Sequence, residues 1–210
     1  MNRKGFTLIE LIVVIAIIGV LAMILVPTML GYIRKSKISS ANSSASIMYK
    51  AMNSVLLELD SDGYDIGGSY MVSWSDTTKK WTAIGAKPSF KNDIIDTGKF
   101  AKRVENFFDN IEKVKKCEVA MCEGVCAAVS IARDNTYVGT YPAGVITTEN
   151  YTSYVPTTAT ALNSALADAV IIYFGGTPTS SGSATAINTA SEKGFTVKYV
   201  YNGQSSIEVT

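Results

Sequence analysis

Residues 4–27 read KGFTLIELIVVIAIIGVLAMILVP, and what this stretch is decides how the rest of the chain is read. From Phe6 to Val26 it is almost wholly apolar. A helix of that length rises about 31 Å, close to the ~30 Å hydrocarbon core of a bilayer. Glu10 is the one charge inside it. An ionised side chain is costly in lipid, so this glutamate calls for a reason that a plain membrane anchor does not supply. A secretory signal fits no better, because the apolar run is too long and lacks a small-residue cleavage site at its end. Flanking charge does not orient the segment, since Arg3 and Lys4 precede it while Arg34, Lys35 and Lys37 follow.

Beyond Pro27 the pattern changes but stays helical. Ile38, Ala41, Ala45, Met48, Met52, Val55 and Leu59 follow one another at gaps of three and four, which draws one apolar stripe along a helix. Asp60, Ser61, Asp62 and Gly63 then supply a stop. The reading is a helix over residues 6–60, about 80 Å long if straight. Residues 6–26 form a membrane or filament-core part, and 27–60 form an amphipathic part. Pro27 lacks an N–H and is expected to bend or locally unwind the helix. The stripe is expected to lie on the protein's own C-terminal domain. A coiled coil is the weaker alternative, because Ala41 and Ala45 offer little bulk.

Residues 61–210 read as a globular head rich in strands. TGKFAKRVENFFDNIEKVKK (97–116) places Phe100, Val104, Phe107, Ile111 and Val114 on one face of a short helix. AAVSIARDNTYVGTY (127–141) has two β-rich runs about a turn, and predicts a hairpin. Asn202-Gly203 fits a two-residue type I′ turn, so the chain should end in a second hairpin. Residues 175–194, poor in large apolar side chains, read as a long exposed loop. The fold class is therefore α+β, with a long N-terminal helix packed on an antiparallel sheet.

Composition narrows the function. The chain of 210 residues carries 19 basic and 18 acidic side chains, a balance that gives no reason to expect nucleic acid. It has no histidine, which removes Ser-His-Asp and Cys-His catalysis and the usual zinc ligand. Nucleotide-binding, metalloprotease and EF-hand motifs are absent too. The chain is not read as an enzyme, and no catalytic, cofactor-binding or metal residue is assigned. Cys117, Cys122 and Cys126 are odd in number and lack zinc-ligand spacing. They are either small apolar residues in a packed segment or one disulfide with a spare thiol. The eleven tyrosines read as ordinary strand and surface residues.

RKGFTLIE (3–10), followed by the aliphatic run, resembles the processing site of type IV prepilins and of type II secretion pseudopilins. The resemblance covers residues 3–33, with basic leader, Gly, Phe, Thr and Glu in register. It implies that residues 1–5 are a leader, cut after Gly5 by a prepilin peptidase, and that Phe6 is then N-methylated. Gly19 and Pro27 fall where the family helix has helix-weakening residues, and so mark expected kinks. The implied fold is the family's lollipop. The implied function is a structural subunit that polymerises through its N-terminal helix into a surface filament for adhesion, motility or biofilm formation. A pseudopilin, or a processed membrane-anchored binding module, is the alternative. Implied partners are further copies of the chain in a helical filament, the peptidase, the pilus assembly machinery and the cytoplasmic membrane. The chain would cross that membrane once with its head outside, then move to the surface pilus. In this setting Glu10 acquires a task as the assembly contact. The new α-amine of Phe6 is a cation that Glu10 of a neighbouring subunit can meet, whereas any other axial register leaves a charge unpaired in apolar surroundings. Pairing of Glu10 with its own amine, or with the positive end of its own helix, is the simpler alternative.

Overall fold

The computed structural model describes residues 7–156, 159–178, 184–199 and 205–209. They form two compact units, Met1–Ser36 and Lys37–Thr210, and helix α1 (Leu8–Ser61) has residues in both. In the first unit every described residue of α1 is exposed, with mean hydropathy reaching 3.2 over the most apolar window. The helix runs without a break through Gly19 and Pro27, so neither residue unwinds it. The proline removes only one amide donor. In the next position, Thr28 Oγ1 donates to the carbonyls of Ile24 and Leu25 at 3.3 and 2.9 Å, adding side-chain bonds in the turn around the proline.

The second unit is built around an antiparallel sheet in the order β2-β1-β3-β4-β5. Its strands are β1 (Ser69–Ser75), β2 (Lys80–Ile84), β3 (Lys116–Cys122), β4 (Val125–Ala132) and β5 (Val138–Tyr141). From Lys37 onward α1 lies on one face. Of the expected stripe, Ala45, Met48, Met52, Val55 and Leu59 are fully buried and share a core with Val72, Val119, Val129 and Ile131, while Ile38 is buried in the second core and Ala41 is half-buried. Self-packing, rather than a coiled coil, covers the stripe. The approach is close: a Cβ on Gly139 would come within 2.0 Å of the Ala41 carbonyl oxygen. Two asparagines on α1 serve strand backbone. Asn42 Oδ1 accepts from the Thr140 N–H at 2.9 Å, and Asn53 Oδ1 accepts from the Cys126 N–H at 3.1 Å.

Helix α1 ends in a Schellman turn. The Tyr64 N–H donates to Leu59 O at 3.0 Å, the Gly63 N–H donates to Asp60 O at 2.9 Å, and Gly63 has φ 80°. The short turn α2 (Pro88–Phe90) and helix α3 (Lys99–Phe107) close the edge of the same core, with Phe100 edge-on to both Trp81 and Phe90. α3 departs from the expected face at its end. Phe108 turns to extended backbone and is buried, while Phe107 is 40% exposed. Ile111 and Val114 enter the core through a 3-10 turn instead of a longer helix.

The opposite face of the sheet is covered by helix α4 (Ala159–Tyr173), which the sequence reading did not anticipate. Leu162, Ala165, Leu166, Ala169 and Val170 are all fully buried in the second core with Ala120, Ala128 and Ala132. The 175–194 stretch is not all loop, because α5 (Ala184–Glu192) lies within it and buries Ala186 and Ala190. The expected hairpins exist as strand pairs. β4 pairs with β5, and β6 (Phe195–Tyr199) pairs with β7 (Ser205–Val209) in the register Phe195↔Val209 to Tyr199↔Ser205. The Asn202-Gly203 turn lies outside the described residues. The terminal hairpin is tied to α4 by side chains. Asn163 accepts from the Ile207 N–H at 2.9 Å and donates to its carbonyl at 3.1 Å, completing both backbone groups of one residue of β7. Buried Asp168 accepts from Tyr154 Oη at 2.7 Å and from Ser205 Oγ at 2.9 Å.

Cys117, Cys122 and Cys126 are free and buried. Cys117 and Cys126 belong to the core under α1, and Cys122 to the core under α4, so the sheet separates Cys122 from the other two. Burial raises the Cys117 and Cys126 thiols well above the ordinary range, and they act as small apolar core residues.

Candidate assembly site at the N-terminus

The chemistry with a functional bearing gathers in the first turn of α1. Thr7 stands at the N-cap and Glu10 three residues on, at the spacing of a capping box. The Thr7 N–H and the Thr7 hydroxyl both donate to Glu10 Oε2, at 2.8 and 2.7 Å. The Glu10 N–H donates back to Thr7 Oγ1 at 3.4 Å. Backbone amides left bare at a helix start are thereby satisfied within the turn itself. An N-cap Ser or Thr is worth about 1 kcal/mol to a helix. The glutamate is thus part of the device that starts the helix.

This turn also fixes what the carboxylate offers to others. A carboxylate has two oxygens and about four acceptor positions. The Thr7 bonds use Oε2 and hold the side chain against the helix start rather than letting it swing along the apolar flank. The residues beyond are apolar and exposed: Leu11, Ile12, Val14, Ile15, Ile18, Leu21 and Leu25 are each about half or more uncovered. No charged residue follows Glu10 until Arg34. Such a surface needs lipid or other apolar helices around it.

Of the residues singled out from sequence, Glu10 sits in this turn, and Gly19 and Pro27 lie further along the unbroken helix. A Cβ on Gly19 would meet nothing within 4 Å. Gly5 and Phe6 fall outside the described residues. Sequence reasoning missed the part played by Thr7, although the T-x-x-E spacing of a capping box was there to be read. Among the described residues there is no cluster of acids and cysteines that could hold a metal.

The family model described as the prokaryotic N-terminal methylation motif matches residues 1–26. Curated relatives include the "Type IV major fimbrial protein FimA" of Dichelobacter nodosus, 36% identical over 96 residues, 46% of this chain and 58% of that protein. The "Type IV major pilin protein PilA" of Myxococcus xanthus is 44% identical over 59 residues, 28% of this chain and 27% of that one. A "Fimbrial protein" of Pseudomonas aeruginosa is 45% identical over 56 residues, 27% of this chain and 36% of that one. The matched stretches thus span little more than half of such relatives' length at most. No solved structure matches the chain. The chain thus carries the prokaryotic N-terminal methylation motif over residues 1–26 and is similar, over part of its length, to type IV major pilin and fimbrial proteins.

Proposed function

We propose that this chain is a structural subunit of a type IV pilus, processed at Gly5 and assembled through α1. The observation that carries the reading is the exposed apolar part of α1, residues 8–33, whose only carboxylate, Glu10, is held in the first turn of the helix beside the methylation-motif junction. A prepilin peptidase would cut after Gly5 and methylate Phe6, leaving a cationic amine one helical turn from Glu10. Before assembly, residues 6–26 span the cytoplasmic membrane with the head outside. In the filament they pack against the same segment of other copies, which replaces lipid around the apolar side chains.

Glu10 then sets the axial register. The Thr7 bonds to Oε2 already pair one side of the carboxylate, so an incoming amine completes a charge pair whose geometry is fixed in advance. A subunit docked one turn too high or too low would leave both charges unpaired among aliphatic side chains, which apolar surroundings penalise. A catalytic role has no support in the sequence, which has no histidine and no recognisable catalytic motif.

The test is electron microscopy of filaments sheared from cells that make this chain, with mass spectrometry of the sheared protein. Filaments whose main subunit is this chain, lacking residues 1–5, are the expected result. Sheared filaments without this chain, from cells in which it is abundant in the membrane, would refute the reading of it as the main subunit.

A further inference from the structure

The core stripe of α1 has a counterpart on the side of the helix turned away from the sheet. Ser43, Ile47, Lys50, Ser54 and Leu57 follow one another at gaps of four and three, and all of them stay exposed or half-buried. They belong to the second unit, beyond the apolar segment. Ile47 is 54% exposed and Leu57 71%, the highest value for a large apolar side chain among the described residues of that unit. An isolated exposed leucine needs no partner. This one opens onto a groove of about 410 Å³, walled by Glu58, Ser61, Asp62 and Arg103. The groove has room for an aliphatic side chain, and it carries charge. Arg103 reaches from α3 to Glu58 Oε2 at 3.7 Å and to Asp62 Oδ2. Two carboxylates share one guanidinium there, which leaves negative charge in excess. Lys50 carries the opposite charge and has no ion pair among the described residues.

We propose that Ile47 and Lys50 of one copy dock into the Leu57 groove of a second copy lying parallel to it, a contact that rests on reading the chain as a pilus subunit. Ile47 lies ten residues before Leu57, and Lys50 lies eight before Glu58 and twelve before Asp62. A parallel copy shifted by about ten residues, roughly 15 Å along the helix, therefore sets Ile47 against Leu57 and Lys50 between the two carboxylates. One shift satisfies both contacts. With no shift, Lys50 would stand beside Lys50 and the groove would stay empty. Charge complementarity of this kind fixes register and rejects wrong pairings. A lipid chain in the groove would leave the excess charge unmet, whereas a second copy brings its own lysine.

The two patches differ, so the contact is heterologous: each copy offers its Ile47 side to one neighbour and its groove to another. Such a contact repeats into an open helical filament when its rotation does not close. The pair of Phe6 and Glu10 spans four residues rather than ten, and so serves a different neighbour in the same filament. The head thereby adds a second check on axial position, made outside the apolar segment and sensitive to salt, because the groove and Lys50 are open to water.

The experiment is disulfide trapping in sheared filaments. The double variant Ile47→Cys, Leu57→Cys is oxidised and run on a denaturing gel without reductant. Within one chain the two positions stand about 15 Å apart along α1, too far for a disulfide, which needs Cα atoms within about 7 Å. The three native thiols are buried and take no part. The expected result is a ladder of dimers and higher multimers from the double variant and none from Ile47→Cys or Leu57→Cys alone. Double-variant filaments without a ladder overturn the proposal and leave the subunit reading standing. A dimer from either single variant places like against like and overturns it too. Wild-type cells that make no filaments refute the subunit reading, and the proposal with it. Should the double variant not assemble, a zero-length carbodiimide crosslink in wild-type filaments decides. Peptides joining Lys50 to Glu58 or Asp62 in filaments, and not in chains dispersed in micelles, support the contact, and their absence from filaments overturns it.

Discussion

Gly139→Ala tests how closely α1 lies on the sheet. A Cβ at this position would stand 2.0 Å from the Ala41 oxygen, 2.1 Å from its carbonyl carbon and 2.6 Å from the Asn42 nitrogen. All three are backbone atoms of a helix, so no side-chain rotation relieves the clash. Either α1 lifts or β5 withdraws. Overpacking of this kind costs about 1–3 kcal/mol or more. The displacement also stretches the Asn42 bond to the Thr140 N–H, and a buried amide left unpaired adds about 1–3 kcal/mol. A loss of about 4 kcal/mol is expected, a large share of the 5–15 kcal/mol that holds a typical domain together. In a unit of this size that lowers Tm by roughly 8–16 °C. Tryptophan fluorescence of the full chain in micelles reads the head, since Trp74 and Trp81 are both buried there. Gly31→Ala is the control, because a Cβ there meets nothing within 4 Å, and it should leave the head transition in place. A Gly139→Ala transition within about 2 °C of wild type would refute the close approach on which this magnitude rests.

Two further outcomes follow from the same geometry. Intact-mass analysis of the surface protein should find a chain that begins at Phe6 and carries one methyl group, while Gly5→Leu should accumulate as uncut precursor. A mature chain that keeps residues 1–5 would overturn the processing assignment. None of the three thiols should react with a water-soluble disulfide reagent in the native chain, and all three should react in denaturant, because each is buried and unpaired. Fast native labelling of Cys117 would contradict its place under α1.

The sequence spoke clearly wherever one chain segment settles its own structure. The 3-4 stripe from Ile38 to Leu59 needs only helical periodicity, and the Gly63 stop needs only a residue free to take positive φ. The β4–β5 pair was readable because both strands flank one short polar turn. α4 was not readable, because it is buried among the sheet and the terminal hairpin and carries Ala or aliphatic residues around most of its circumference. A helix without a polar face shows no stripe. Nothing in the sequence around Asn42 and Asn53 tells what they do, and only the strand amides opposite them explain why they are there. At the N-terminus Glu10 was legible as the one charge in an apolar run, while the bonds Thr7 makes to it show only in the structure.

Filament formation by Glu10→Val cells tests the central claim most directly. Valine removes the only charge between residues 7 and 33, so the segment should enter and stay in the membrane at least as well as wild type. Cleavage after Gly5 should continue, as intact mass will show. With the mutant as the only subunit present, electron microscopy of sheared material should find few or no filaments, while the processed chain accumulates in the membrane fraction. Filaments in wild-type number, built from processed Glu10→Val chains, would show that this carboxylate is not the assembly contact.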